Sequence, residues 1–129
     1  MKESANIQFN HIKIHTQYSI CEGAVKIENL KEFCKLNKIK TVGLSDSFNL
    51  SGALEFSDSI SSIGTQPIMG TQLLFKYNNN FGFIPLIAKN ASGYKNIIEL
   101  TSKSYLEHTD HENPYCNFNE LIQNLEGII

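Results

Sequence analysis

What the chain is short of narrows its class before any motif is read. Only three cysteines occur in 129 residues, Cys21, Cys34 and Cys116, and no two are spaced as CxxC. An odd, dispersed set reads as free thiols in a reducing compartment, which argues against a disulfide framework or a zinc knuckle. No apolar run exceeds a handful of residues, so no segment is long enough to span a bilayer. The amino terminus, MKESANIQF, carries charge but no apolar h-region. A secretory signal is therefore not expected, and a cytoplasmic location is. Basic blocks are missing too. Eleven Lys and Arg stand against thirteen Asp and Glu, for a net charge of −2. The densest basic group, Lys31, Lys35, Lys38 and Lys40, is interleaved with Glu28 and Glu32. Such interleaving on a helix reads as a solvated face of mixed charge. The electrostatic footprint of a domain that grips duplex DNA by itself is absent.

What is present suits one domain with its own core, at 41% hydrophobic residues. The stretch Phe9–Gly23, FNHIKIHTQYSICEG, alternates Phe9, His11, Lys13 and His15 against Asn10, Ile12, Ile14 and Thr16. Period two with Ile, Phe and Thr predicts a strand from about Gln8 to His15, after a lead-in over Met1–Ile7. A helix follows over Val25–Leu36, with Ile27, Leu30, Phe33 and Cys34 as its stripe. A second strand runs from Lys38 to Asp46. The next helix spans about Ser51–Ser62, with Ala53, Leu54, Phe56 and Ile60 inward, and stops at Gly64 and Pro67. Pro67–Tyr77 and Phe81–Ala88, joined by three asparagines, suggest a hairpin whose second arm is an edge strand because of Pro85. Ser92–Leu106 reads as a helix capped by Ser92, with Tyr94, Ile97, Ile98, Thr101 and Tyr105 on one stripe. Glu107–Cys116 is a polar loop. Asn117 and Glu120 then offer a cap and an acid for a short helix ending near Gly127. The last residues look like the start of another strand. This order predicts an α/β fold with a mainly parallel sheet, open or a partial barrel.

Four stretches carry a resemblance: Phe9–Gly23; Thr41–Gly52, TVGLSDSFNLSG; Pro67–Leu73, PIMGTQL; and Leu86–Asn96, LIAKNASGYKN. In this order the chain resembles the PHP (polymerase and histidinol phosphatase) domain at the amino terminus of the bacterial replicative DNA polymerase III alpha subunit. The resemblance implies that residues 1–129 are the first portion of a PHP domain, an incomplete, distorted β/α (TIM-like) barrel. The polymerase palm, thumb and fingers would lie elsewhere. It also implies membership of the DNA replication machinery, a parent protein with DNA-directed DNA polymerase (nucleotidyltransferase) activity, and contact with DNA only through the full polymerase. The expected partners are the rest of the alpha subunit and the proofreading exonuclease (epsilon) subunit, with no membrane.

In the family, a cluster of zinc, manganese or magnesium ions at the strand ends serves phosphoester hydrolysis. Carried over by motif, the ligand positions fall on Lys13, His15, Asp46, Ser47, Gln72 and Phe83. Serine and glutamine are weak neutral donors, phenylalanine is none, and lysine brings a cation. Repulsion between an ammonium and a divalent ion a few Å apart costs on the order of several kcal/mol even at an effective dielectric near 20. The expectation is a catalytically degenerate module with no catalytic residue and no bound metal, His15 and Asp46 being remnant ligands. The alternative is an active metal-dependent phosphoesterase or 3′–5′ exonuclease.

Several residues allow two readings. His15 is either a remnant ligand or a histidine hydrogen-bonded at a strand end. Asp46 is either a ligand or general base, or the ion-pair partner of Lys13, and the pair is the expectation. His11 reads as packing or surface. His108 and His111 form an HxxH-like pair in a polar loop, for which adventitious metal binding is the most to expect. Tyr94 and Tyr105 read as core, and Gly93 as a glycine tolerated at a helix start. Ser19 has no base and acid spaced to make it a nucleophile.

Overall fold

The computed structural model describes residues 9–129. The predicted lead-in and Gln8 lie outside them. From Phe9 to Lys13 the chain is extended and exposed, and the predicted first strand is reduced to single bridges, Ile14 to Leu44 and Thr16 to Val25. The reason is one-sided pairing. Gly43 N–H donates to His11 O at 2.7 Å, Ile14 N–H to Gly43 O at 3.2 Å and Ser45 N–H to Ile14 O at 2.8 Å. That rung pattern lies along a single neighbour and is too short to make a regular ladder.

Helix α1 (Ile27–Leu36) buries Ile27, Leu30 and Cys34, whereas Phe33 lies open. Strand β1 (Thr41–Gly43) is followed by a two-residue strand β2 (Asp46–Ser47), so the single predicted strand is broken at Leu44–Ser45. Helix α2 (Ala53–Ser61) turns Ala53, Phe56 and Ile60 inward and leaves Leu54 exposed. Gly64 ends it at φ +77°, a left-handed conformation that glycine adopts without steric cost. Strand β3 (Gln66–Ile68) pairs parallel with β1. Strands β4 (Gly70–Tyr77) and β5 (Asn80–Ile87) form the predicted antiparallel hairpin, turning through Asn78 at φ +54°.

Helix α3 (Ala91–Leu106) is capped by Asn90, whose Oδ1 accepts from Gly93 N–H at 2.9 Å, and not by Ser92. Its buried face is Gly93, Ile97, Leu100 and Ser104, while Ile98 and Tyr105 are exposed and Tyr94 is half-buried. The predicted stripe is therefore rotated, because two of the inward positions are small. Gly93 is there for close approach: a Cβ at that position would lie 1.7 Å from the Gly127 carbonyl oxygen. Strand β6 (Tyr115–Asn117) takes up the end of the predicted polar loop, with Asn117 just beyond it, and pairs parallel with β4. Helix α4 (Phe118–Gln123) opens on the predicted capping box of Asn117 and Glu120. Ile128 and Ile129 pair antiparallel with Ala88 and Ile87, the strand start that the sequence suggests.

Between the named strands the pairings are parallel except in the hairpin, and the bridge from Ala88 to Ile128 is antiparallel too, giving an α/β fold. One core cluster gathers Ile27, Val42, Leu44, Phe56 and Ile60 between α1, α2 and β1. A second gathers Leu73, Phe75, Leu86, Ile97, Leu100 and Leu121 between the hairpin, α3 and α4. Full burial of such a side chain contributes roughly 1.5–3 kcal/mol. Leu50 touches both clusters, and the loop that carries it begins at β2. That places Asp46 and Ser47 between the two cores.

Candidate functional site

Asp46 sits where β2 lies against Thr71 of β4, and it is 0% exposed. A carboxylate so buried needs donors on its oxygens. It has three. Thr16 N–H donates to Oδ1 at 2.5 Å, Thr16 Oγ1 to Oδ2 at 2.7 Å and Ser19 Oγ to Oδ1 at 2.7 Å. All come from the turn after the extended first segment. That turn closes on Gly23, where a Cβ would fall 1.9 Å from the Thr16 carbonyl oxygen. From the other side, Thr71 Oγ1 donates to the Asp46 backbone carbonyl at 2.7 Å. Asp46 therefore ties the 16–23 turn to the sheet.

Lys13 takes no part in this. It is exposed, and among the described residues no ion pair joins it to Asp46. The predicted Lys13–Asp46 pair is replaced by hydroxyl and amide donors. Because the 9–13 segment is not held within a sheet, its His and Lys face stays in water, and a hydrated ammonium has no reason to enter the pocket.

Ser19 extends the network. Its Oγ accepts from Ser47 N–H at 3.1 Å and lies 3.4 Å from His15 Nδ1. Ser47 Oγ donates to Glu22 Oε2 at 2.6 Å, and the same carboxylate lies 3.8 Å from His15 Nδ1. Gln72 Nε2 donates to Ser47 Oγ at 3.4 Å, while its Oε1 is buried without a partner. Phe83 makes no contact with this group. It is 48% exposed and meets Phe48 edge-on, centroids 5.5 Å apart. The structure thus brings His15, Asp46, Ser47 and Gln72 together, leaves Lys13 and Phe83 out, and adds Glu22 and Ser19. Glu22 lies in the quoted FNHIKIHTQYSICEG stretch, seven residues after His15. Only the turn geometry, which periodicity does not carry, brings it back.

Two clusters among the candidates resolve differently. Ser19 does touch a histidine and an aspartate, but as a donor to the aspartate, so it is a bridge in a network and not an activated nucleophile. His108 and His111 take different partners: His108 Nε2 lies 2.9 Å from Glu120 Oε2, and His111 stacks on Phe81 at 4.3 Å.

The donor set at Asp46 can be tested for a metal. Among the described residues, one group of three or more His, Cys, Asp or Glu side chains brings its ligand atoms within 4.8 Å of one another, and it is Glu107, His108 and Glu120. His15, Glu22 and Asp46 form no such group. The Asp46 oxygens already accept three short hydrogen bonds, which a cation would have to displace. This pocket does not fit a multinuclear metal centre.

Residues 11–129 match the PHP domain family. The chain is 37% identical over 123 residues to the DNA polymerase III subunit alpha of Rickettsia conorii, covering 95% of this chain and 10% of that protein. It is 32% identical over 129 residues to the subunit of the same name from Haemophilus influenzae, covering 98% of this chain and 11% of that one. The chain thus spans about a tenth of the length of these relatives. Among solved structures, it superposes with TM-score 0.58 and 17% identity on a protein from Bifidobacterium adolescentis, described as a "putative metal-dependent phosphoesterase". That match covers 74% of this chain and 32% of the other, and it supports the α/β PHP-type fold.

Proposed function

The chain belongs to the PHP domain family, and on that premise we propose that it is a catalytically degenerate PHP module of a bacterial replicative DNA polymerase. It acts as a scaffold in DNA replication and not as a hydrolase. The observation that carries this reading is the state of Asp46: fully buried, with its oxygens engaged by Thr16 and Ser19. A metal ligand needs lone pairs directed at the ion, and these are directed at hydroxyl and amide hydrogens. Three further motif positions agree. Ser47 and Gln72 bring neutral oxygens, and Phe83 brings none. On this reading Lys13 is surface and has no share in excluding metal.

Residues 1–129 would then be the first portion of the barrel within a longer alpha subunit, in keeping with the tenth of the relatives' length that they span. Polymerase activity belongs to the rest of that subunit, and contact with DNA runs through it. The module would brace the polymerase core and dock the proofreading exonuclease (epsilon) subunit, in the cytoplasm; among the described residues no helix is long and apolar enough to cross a membrane. No metal cofactor is required.

One observation favours the active alternative, a metal-dependent phosphoesterase or 3′–5′ exonuclease. Glu22 supplies a carboxylate beside His15, at 3.8 Å, that the motif positions alone do not include. The two readings part in an assay of phosphodiester hydrolysis with added Mn²⁺ or Zn²⁺. The scaffold reading predicts a rate equal to the metal-only background, unaltered by His15→Ala. Turnover that His15→Ala and Glu22→Gln abolish would establish the enzyme instead. Docking is tested by immobilising the chain and titrating the purified exonuclease subunit, for which saturable binding is expected.

A further inference from the structure

A second group of side chains lies away from Asp46. The ladder places Asp46 against Thr71 of β4 and Asn117 against Lys76, so the two groups sit about 16 Å apart along the strand at a rise of roughly 3.3 Å per residue. Glu107 follows the end of α3, His108 comes next, and Glu120 stands in the first turn of α4. Their three ligand atoms lie within 4.8 Å of one another. His108 Nε2 and Glu120 Oε2 are 2.9 Å apart, with both side chains largely buried and Glu107 exposed at the mouth.

We propose that Glu107, His108 and Glu120 form a binding site for a single divalent transition-metal ion, with zinc as the favoured ion. One imidazole and two carboxylates is a three-ligand set that zinc accepts with water completing a tetrahedron. The imidazole turns the site away from magnesium and calcium, which take oxygen ligands alone. Both inner ligands are held by groups outside the set. The His108 ring stacks on Tyr115 with centroids 4.7 Å apart, and Asn117 N–H donates to Glu120 Oε2 at 2.6 Å. Ligand orientation of this kind is what metal sites obtain from their surroundings. Two cations lie nearby: Lys103, one turn before Glu107, is ion-paired to Glu99 at 3.3 Å, and the Lys76 ammonium sits 5.6 Å from the centre of the Tyr115 ring. Their field opposes the ion and keeps the affinity modest. The bound ion would clip the end of α3 to the start of α4 and so fasten the intervening loop.

The rival is a His108–Glu120 hydrogen-bonded pair with no ion. The test is calorimetric titration of the 129-residue chain with zinc chloride, in a Cys21→Ser background because that thiol is exposed, with thermal unfolding followed alongside. The site predicts one ion per chain and a Tm that rises with zinc. Glu107→Gln, which leaves the α4 capping box intact, weakens binding at least tenfold and removes the Tm rise. His111→Gln and His15→Ala leave both unchanged. The proposal is overturned by an absence of saturable binding, by binding that Glu107→Gln does not weaken, or by binding that is lost with His15→Ala.

Discussion

Two carboxylates, Asp46 fully buried and Glu120 half-buried, lie near the same strand and have opposite fates. Asp46 is sealed, and its oxygens accept from Thr16 twice and from Ser19 once. Glu120 accepts from one backbone amide and otherwise faces a histidine. Asp46 is shut off from solvent and Glu120 is only partly so, but their partners differ more than their burial. A carboxylate ringed by hydroxyls is an anchor for the chain that supplies them, whereas one facing an imidazole and a second carboxylate keeps a lone pair directed at a place where an ion fits.

The contrast can be broken most forcefully at Asp46. Asp46→Ala strands three donors in a dry pocket and should lower unfolding stability by about 3 kcal/mol or more, read from the urea midpoint. If Asp46 were instead a ligand held without its metal, relief of an uncompensated buried charge would make the same change neutral or stabilising. Ser19→Ala removes one donor to Asp46 and the acceptor for Ser47 N–H, for a loss of about 1–2 kcal/mol. On the other side, Glu120→Gln disturbs the capping box and the His108 contact and should cost about 1 kcal/mol. A larger loss at Glu120 than at Asp46 would reverse the comparison.

The smallest effect appears only in alkali. Burial first, and the Glu120 charge second, push the Cys116 thiol from 9.0 up to about 12. The folded chain holds that proton while the unfolded chain releases it. The contribution is therefore complete below about pH 9 and falls away as pH rises towards about 12. Cys116→Ala should flatten the decline in stability across that window. At pH 8, a thiol reagent should modify the exposed Cys21 in the native chain and reach Cys34 and Cys116 only after unfolding.

Local signals in the sequence are enough for the hairpin, for the start of α4 (which ends at Gln123 and not near Gly127) and for the extents of α1, α2 and α3 to within two residues. Asparagines at 78–80 set a turn, and Asn117 with Glu120 sets a cap; these are short-range devices. What the sequence concealed was long-range. The inward face of α3 depends on Gly127 approaching Gly93, a contact spanning 34 residues, so the small residues Gly93 and Ser104 outrank Ile98 and Tyr105. Strand β6 is short, and its place beside β4 comes from tertiary pairing and not from its own pattern. At the candidate site the structure brings four of the motif positions, His15, Asp46, Ser47 and Gln72, into one hydrogen-bonded group. The motif could not place Lys13, because alternation fixes a face only where the strand is paired on a sheet. Glu22 and Ser19 were hidden for a related reason, since a turn and not a period returns them to Asp46.

The most direct measurement is an anomalous difference map from crystals of the chain soaked in a manganese salt. The account predicts no peak in the Asp46 pocket, with the Asp46 oxygens still on Thr16 and Ser19. A peak about 2.0–2.2 Å from both His15 and Asp46, with the Thr16 and Ser19 hydroxyls turned away, would contradict it.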